Sequence, residues 1–109
     1  MNPKYREVCE RLEWSVYECG DGNIELEKYS PAGEDFSICV GAENLVDNVK
    51  EYAASFDQEE HIEMWVSAKH TVSGVPSIKE LVKDAEDIDK MLKELAEALF
   101  QAELAEEGA

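Results

Sequence analysis

Basic side chains are scarce in this chain, because 10 Lys and Arg stand against 26 Asp and Glu and leave a formal net charge of −16. A nucleic-acid-binding face of the usual kind needs a basic patch, so this class of protein is excluded. Docking on anionic lipid is disfavoured for the same reason. Long apolar runs are also missing, which predicts that no segment crosses a membrane. No apolar stretch follows residues 1–7, so we predict no signal peptide and a cytoplasmic protein.

Residues that carry chemistry are few. The three cysteines are odd in number, widely spaced and without a CxxC pair, which predicts reduced, partly buried thiols: Cys9, Cys19 and Cys39. His61 and His70 lack an HExxH companion, so solvent-exposed or capping roles are favoured over a metal site. The glycines fit turns and ends rather than a phosphate loop. We therefore predict no metal, no cofactor and no enzymatic activity.

The acid is distributed evenly along the chain. Residues 1–40, 41–75 and 76–109 carry net negative charges of 5, 5 and 6. A disordered acidic tail would concentrate the charge at one end, whereas here it alternates with periodic apolar positions. The pattern predicts one folded domain over 1–109, with residues 1–2 and about 105–109 frayed.

The first half of the chain changes from a helical period to a strand period. Asn2 and Pro3 are typical of a helix start. From Trp14 the apolar residues alternate in three short runs, which turn signals at 20–23 and 31–34 separate. Three alternating runs joined by two turns predict an antiparallel meander with one buried face.

The second half returns to the helical period. Capping-box spacings at Asp57 and at Ser77 predict the starts of two helices. The strongest pattern is a long last helix from Ser77 to about Leu104, with apolar residues in a 3-4 repeat. This stripe comprises Ile78, Leu81, Ala85, Ile88, Leu92, Leu95, Leu99 and Ala102.

These elements predict an α+β fold in the order α-β-β-β-α-α-α, with the helices packed on one face of the sheet. At about 40 Å the last helix is about twice as long as strands of six residues. Its far half must therefore pack on another helix, protrude, or meet a second copy. Packing within the chain is favoured, and a homodimer through this helix stays open.

A uniformly acidic domain predicts a basic partner, with no direct nucleic-acid binding. The predicted contact residues are acids on the helices and one aromatic residue: Asp47, Glu51, Glu59, Glu60, Glu63, Trp65, Glu80, Asp84, Asp87 and Glu94. For Trp65 a packed core position is favoured over an interface anchor. Lysines on the last helix interrupt its acidic row, which weakens strict mimicry of DNA. The alternative is a structural or regulatory module that self-associates through the last helix, with its acidity serving solubility.

Three segments look familiar: KYSPAGEDF at 28–36, FDQEEH at 56–61 and GVPSIKEL at 74–81. Together they resemble small acidic proteins carried by phages and mobile elements of gut Firmicutes. By analogy of size, charge and context, the resemblance implies an anti-CRISPR or anti-restriction factor that blocks a basic surface of a host defence nuclease. It carries over no catalytic or binding residue.

Overall fold

The computed structural model describes residues 1–31, 33, 35–69 and 78–107, except for the side chains of 65–69 and 78. Its elements follow the predicted order and confirm the α+β class. They are α1 (Pro3–Arg11), β1 (Ser15–Glu18), β2 (Asn23–Tyr29), β3 (Asp35–Gly41), α2 (Leu45–Ser55), α3 (Gln58–Lys69) and α4 (Ile78–Glu107).

The three strands form one antiparallel sheet in the order β1-β2-β3. Val16 lies opposite Leu26, and Leu26 lies opposite Ile38, so apolar residues of all three strands share one face. Gly20 and Gly22 have positive φ angles of 78° and 88° in the turn between β1 and β2, where residues with a Cβ would be strained. Because apolar and polar residues alternate along each strand, this pattern determines both the register of the strands and which face of the sheet is buried.

The hydrophobic core lies between this apolar face and the helices. Its largest fully buried side chains come from the sheet, from α1, α2 and α4, and from the residue before β1: Trp14, Ile24, Leu26, Ile88, Leu92, Leu95, Leu99, Val46, Val49 and Cys9. Trp14 is only 2% exposed and lies in this core. Tyr52 on α2 is half-buried and packs against the cluster.

Helix α4 runs three residues beyond the predicted end and spans about 45 Å. It packs against α1, α2 and α3. Leu92, Leu95 and Leu99 are fully buried within the chain. The far half of the helix therefore packs on other helices of the same molecule, as the favoured interpretation predicted.

Local contacts explain how α1 begins and ends. The Asn2 side chain accepts a hydrogen bond from the Lys4 amide at 2.8 Å, and Pro3 follows at the first helical position. At the other end the Trp14 amide donates to the Cys9 carbonyl, and Glu13 takes a φ of 69°. This is a Schellman ending with glutamate at the position that glycine usually fills, so the sequence carried no glycine signal for it.

Both ends of the described chain are held by side-chain contacts. The Asn2 amide donates to the Glu106 carboxylate at 3.1 Å, and the amino terminus pairs with Glu18 at 2.8 Å. Residues 105–107 belong to α4, although the sequence predicted that this stretch would fray.

Candidate interaction surface

The acids predicted to contact a partner are spread over three helices. Seven of them are exposed: Asp47 and Glu51 on α2, Glu59, Glu60 and Glu63 on α3, and Glu80 and Glu94 on α4. The Asp87 side chain is 17% exposed and pairs with Lys83 at 3.1 Å, so its charge is already balanced. The side chain of Trp65 and all of His70 and Ser77 lie outside the described residues.

Asp84 belongs to the core and not to an exposed row, because it is only 4% exposed. Its Oδ1 accepts a hydrogen bond of 2.6 Å from Ser30 Oγ, and its Oδ2 lies 3.5 Å from His61 Nε2. A buried carboxylate needs such partners to offset its desolvation. The Asp84 cluster (Ser30, His61 and Asp84) therefore joins the end of β2 to α3 and α4.

His61 was predicted to be exposed or capping, and the structure corrects this. Its side chain is 14% exposed. The ring lies 6.2 Å from that of Phe36 and 5.6 Å from that of Phe56, measured between centroids. The helix cap is instead Asp57, whose carboxylate accepts hydrogen bonds from the amides of Glu59 and Glu60, as the capping-box spacing predicted.

The sheet has a second face that the described helices leave exposed to solvent. We call this second face the open face. Strand alternation places eight residues on it: Ser15, Tyr17, Glu25, Glu27, Tyr29, Asp35, Ser37 and Cys39. Tyr17 is 49% exposed and Tyr29 is 63% exposed. Two large aromatic rings therefore stand in solvent on an otherwise polar surface.

The open face carries acid without base. Among these strand residues Glu25, Glu27 and Asp35 are acidic, and none is Lys or Arg. Lys28, next along β2, turns the other way, because its Nζ donates to the Leu12 carbonyl oxygen at 2.8 Å. Partial desolvation raises the pKa of Glu27, and the neighbouring Asp35 and Glu25 carboxylates raise it further. The face therefore presents crowded, unbalanced negative charge.

The pairing register places each exposed tyrosine next to a carboxylate. Tyr17 lies directly opposite Glu25, and Tyr29 lies directly opposite Asp35. Side chains at such positions are about 5 Å apart at Cβ. Glu27 stands between the two pairs on β2. The open face thus repeats one unit, an aromatic ring beside a carboxylate, once on each side of Glu27 along β2.

The three cysteines are free, and their exposure differs by location. Cys9 is buried on the inner side of α1, and burial raises the pKa of its thiol to about 11. Cys39 is exposed on the open face. Cys19 is exposed after β1, where desolvation and then the neighbouring Cys39 raise its pKa. The prediction of partly buried thiols therefore holds for Cys9 only.

Within the described ranges, the helices and polar clusters fit neither a membrane span nor a metal site. None of the helices there combines the length and the apolarity that crossing a bilayer requires. Nor does that part of the chain group three or more His, Cys, Asp or Glu side chains in a way that would hold a metal ion. No family model, no curated protein and no solved structure matches this chain.

The sequence alone did not identify the open face as a candidate interaction surface. The signal was present, since Glu25 and Glu27 alternate with Ile24 and Leu26. The sequence also predicted that the helices would cover one face only. The acids that the uncovered face gathers come from both β2 and β3.

Proposed function

We propose that this protein is a non-enzymatic, acidic binding protein that docks on a basic surface of another protein. The single observation that carries the proposal is the net charge of −16 on a folded domain whose acids are distributed over its exposed surfaces. Such a charge destabilises the compact state through self-repulsion, and a basic partner relieves that repulsion. Complementary charge also accelerates association.

The partner class proposed is a host defence nuclease, blocked at its nucleic-acid-binding surface in the manner of anti-CRISPR and anti-restriction factors. The support is chemical: these channels are strongly basic because they must bind phosphates, which duplex DNA presents about every 1.7 Å. An origin in a phage or mobile element, and a place in the bacterial cytoplasm, belong to the same proposal.

The test is a cleavage assay with a panel of CRISPR effectors and restriction endonucleases, with and without a molar excess of this protein. We expect inhibition of at least one nuclease, weakening as salt is raised from about 50 to 300 mM because screening shortens the range of surface charge. Equal cleavage with and without the protein across the panel would contradict the nuclease proposal. Inhibition that is insensitive to salt would contradict its electrostatic basis.

The alternative is a module that self-associates through its C-terminal helix. Such an interface would have to use the outer side of α4, where Val82 and Leu104 are exposed, because Leu92, Leu95 and Leu99 are buried within the chain. Sedimentation equilibrium at micromolar concentration separates the two proposals. A monomer excludes self-association in this range, and a dimer that Leu104→Glu dissociates supports it.

A further inference from the structure

We propose that the open face binds arginine side chains of a partner protein, each tyrosine–carboxylate pair taking one guanidinium group. This inference rests on the proposed function, since it names where a basic partner is bound and which of its side chains are recognised. The occupant is therefore a protein surface that presents arginines, and the face is the sheet surface formed by Tyr17, Glu25, Glu27, Tyr29 and Asp35.

Each tyrosine–carboxylate pair matches the binding chemistry of a guanidinium group. A guanidinium group is planar, stacks on aromatic rings and donates two parallel hydrogen bonds to a carboxylate. Tyr17 opposite Glu25 offers a ring and a carboxylate together, and Tyr29 opposite Asp35 repeats the arrangement. An ammonium group is a compact, strongly hydrated point charge that lacks the planar fork. The pairs therefore favour arginine over lysine.

The spacing of the two pairs sets the separation of the arginines that they would bind together. Glu25 and Tyr29 are four residues apart on β2, which corresponds to about 13 Å along the strand. Arginines at this separation would occupy both pairs at once. Glu27 lies between them, where partial desolvation and then the nearby Asp35 and Glu25 carboxylates raise its pKa. A bound cation would relieve this repulsion, so the central carboxylate adds attraction for a multiply charged partner.

Repulsion between like charges excludes a second copy of the chain as the occupant of the open face. Two open faces in contact would bring Glu25, Glu27 and Asp35 of both molecules together without a base between them. Like charges placed opposite each other at an interface strongly oppose association. The chain as a whole adds repulsion through its net charge of −16. Charge complementarity therefore points to a basic partner and away from self-pairing.

The experiment uses the full chain and two fluorescent probes, a deca-arginine and a deca-lysine peptide, in anisotropy titrations at low salt. The open-face variant is E25Q/E27Q/D35N. The matched control is E51Q/E63Q/E94Q, which removes the same charge from exposed positions on α2, α3 and α4. A third variant, Y17L/Y29L, keeps bulk but removes the rings. Circular dichroism and melting curves verify that each variant is folded.

We expect the open-face variant to lose about tenfold in affinity for deca-arginine, while the control changes less than about threefold. Y17L/Y29L should abolish the preference for deca-arginine over deca-lysine. Equal losses in the open-face variant and the control would overturn the inference and leave the proposed function standing. Equal binding of both peptides by the wild-type protein would overturn the role of the tyrosines. No binding of either peptide would contradict the proposed function itself.

Discussion

The two faces of the sheet are built from alternate residues of the same strands and have opposite surroundings. On β2, Ile24 and Leu26 are buried under the helices, whereas Glu25 and Glu27 face outward. The covered face is apolar and continuous with the core. The open face gathers three acids and two exposed tyrosines. One face therefore accounts for stability, and the other is the surface available for recognition.

The carboxylates on the two sides of the sheet also differ in whether they have partners. On the covered side Asp84 is held by Ser30 and His61. In the described part of the chain Glu25, Glu27 and Asp35 make no ion pair. A carboxylate with partners stabilises the fold, whereas crowded carboxylates without a counter-charge oppose it. The difference predicts that substitutions on the two sides will change the free energy of unfolding in opposite directions.

The largest expected effect is on the covered face. Leu26→Ala should lower the free energy of unfolding by about 2–5 kcal/mol, because the side chain is fully buried and its removal leaves a cavity. The control is Glu27→Gln at the neighbouring position on the opposite face, which should leave the free energy of unfolding nearly unchanged. Urea titrations measure both. A similar loss in the two variants would break the distinction between the faces.

A smaller loss is expected in the Asp84 cluster. Asp84→Ala should lower the free energy of unfolding by about 1–3 kcal/mol, because Ser30 and His61 lose their shared acceptor. Asp87→Ala, one turn along α4 and paired with Lys83, is the matched control and should cost less than about 1 kcal/mol. If Asp84→Ala were neutral, the cluster would not hold α3 and the sheet together.

Thiol labelling compares the accessibility of the buried core with that of the exposed surface, and it needs no substitution. In the native protein a neutral aromatic disulfide reagent should modify Cys19 and Cys39 and spare Cys9, which is buried with a pKa raised to about 11. All three thiols should react after denaturation in guanidinium chloride. Mass spectrometry of the labelled peptides identifies each site. Rapid native labelling of Cys9 would show that the covered side is not closed.

The smallest effect concerns Glu27 and its dependence on pH. The folded-state pKa of Glu27 lies above its ordinary value of 4.5, so its charge destabilises the folded state at neutral pH. Glu27→Gln should therefore be slightly more stable than the wild-type protein at pH 7. This advantage should disappear as pH falls below 4.5, where the wild-type carboxyl is protonated in both states. An advantage that grows on acidification would contradict the crowding of carboxylates.

Sequence periodicity predicted the fold well, because local rules determine most of it here. The alternation on β2 and β3, the Asn2 cap and the 3-4 apolar repeat of α4 each depend on near neighbours in the chain. Glu13 was missed because it takes a left-handed conformation at a position that glycine usually fills, so no glycine marks it in the sequence.

The candidate surface was harder to predict because it depends on long-range proximity. Asp84 matched an exposed helical row by spacing, and only the approach of Ser30 and His61 makes it a core residue. Tyr17 and Glu25 come from different strands, and no local pattern pairs them. Because acids are distributed evenly along the sequence, the sequence does not show that the open face lacks Lys and Arg.

We expect a basic partner to bind this protein at the open face. The most direct measurement is a titration of the isotope-labelled protein with deca-arginine, followed residue by residue in amide and side-chain NMR spectra. We predict the largest shifts at Tyr17, Glu25, Glu27, Tyr29 and Asp35, with the outer surfaces of α2 and α4 nearly unchanged. Larger shifts along the helices, at Glu51 and Glu94, with the open face unchanged, would contradict it.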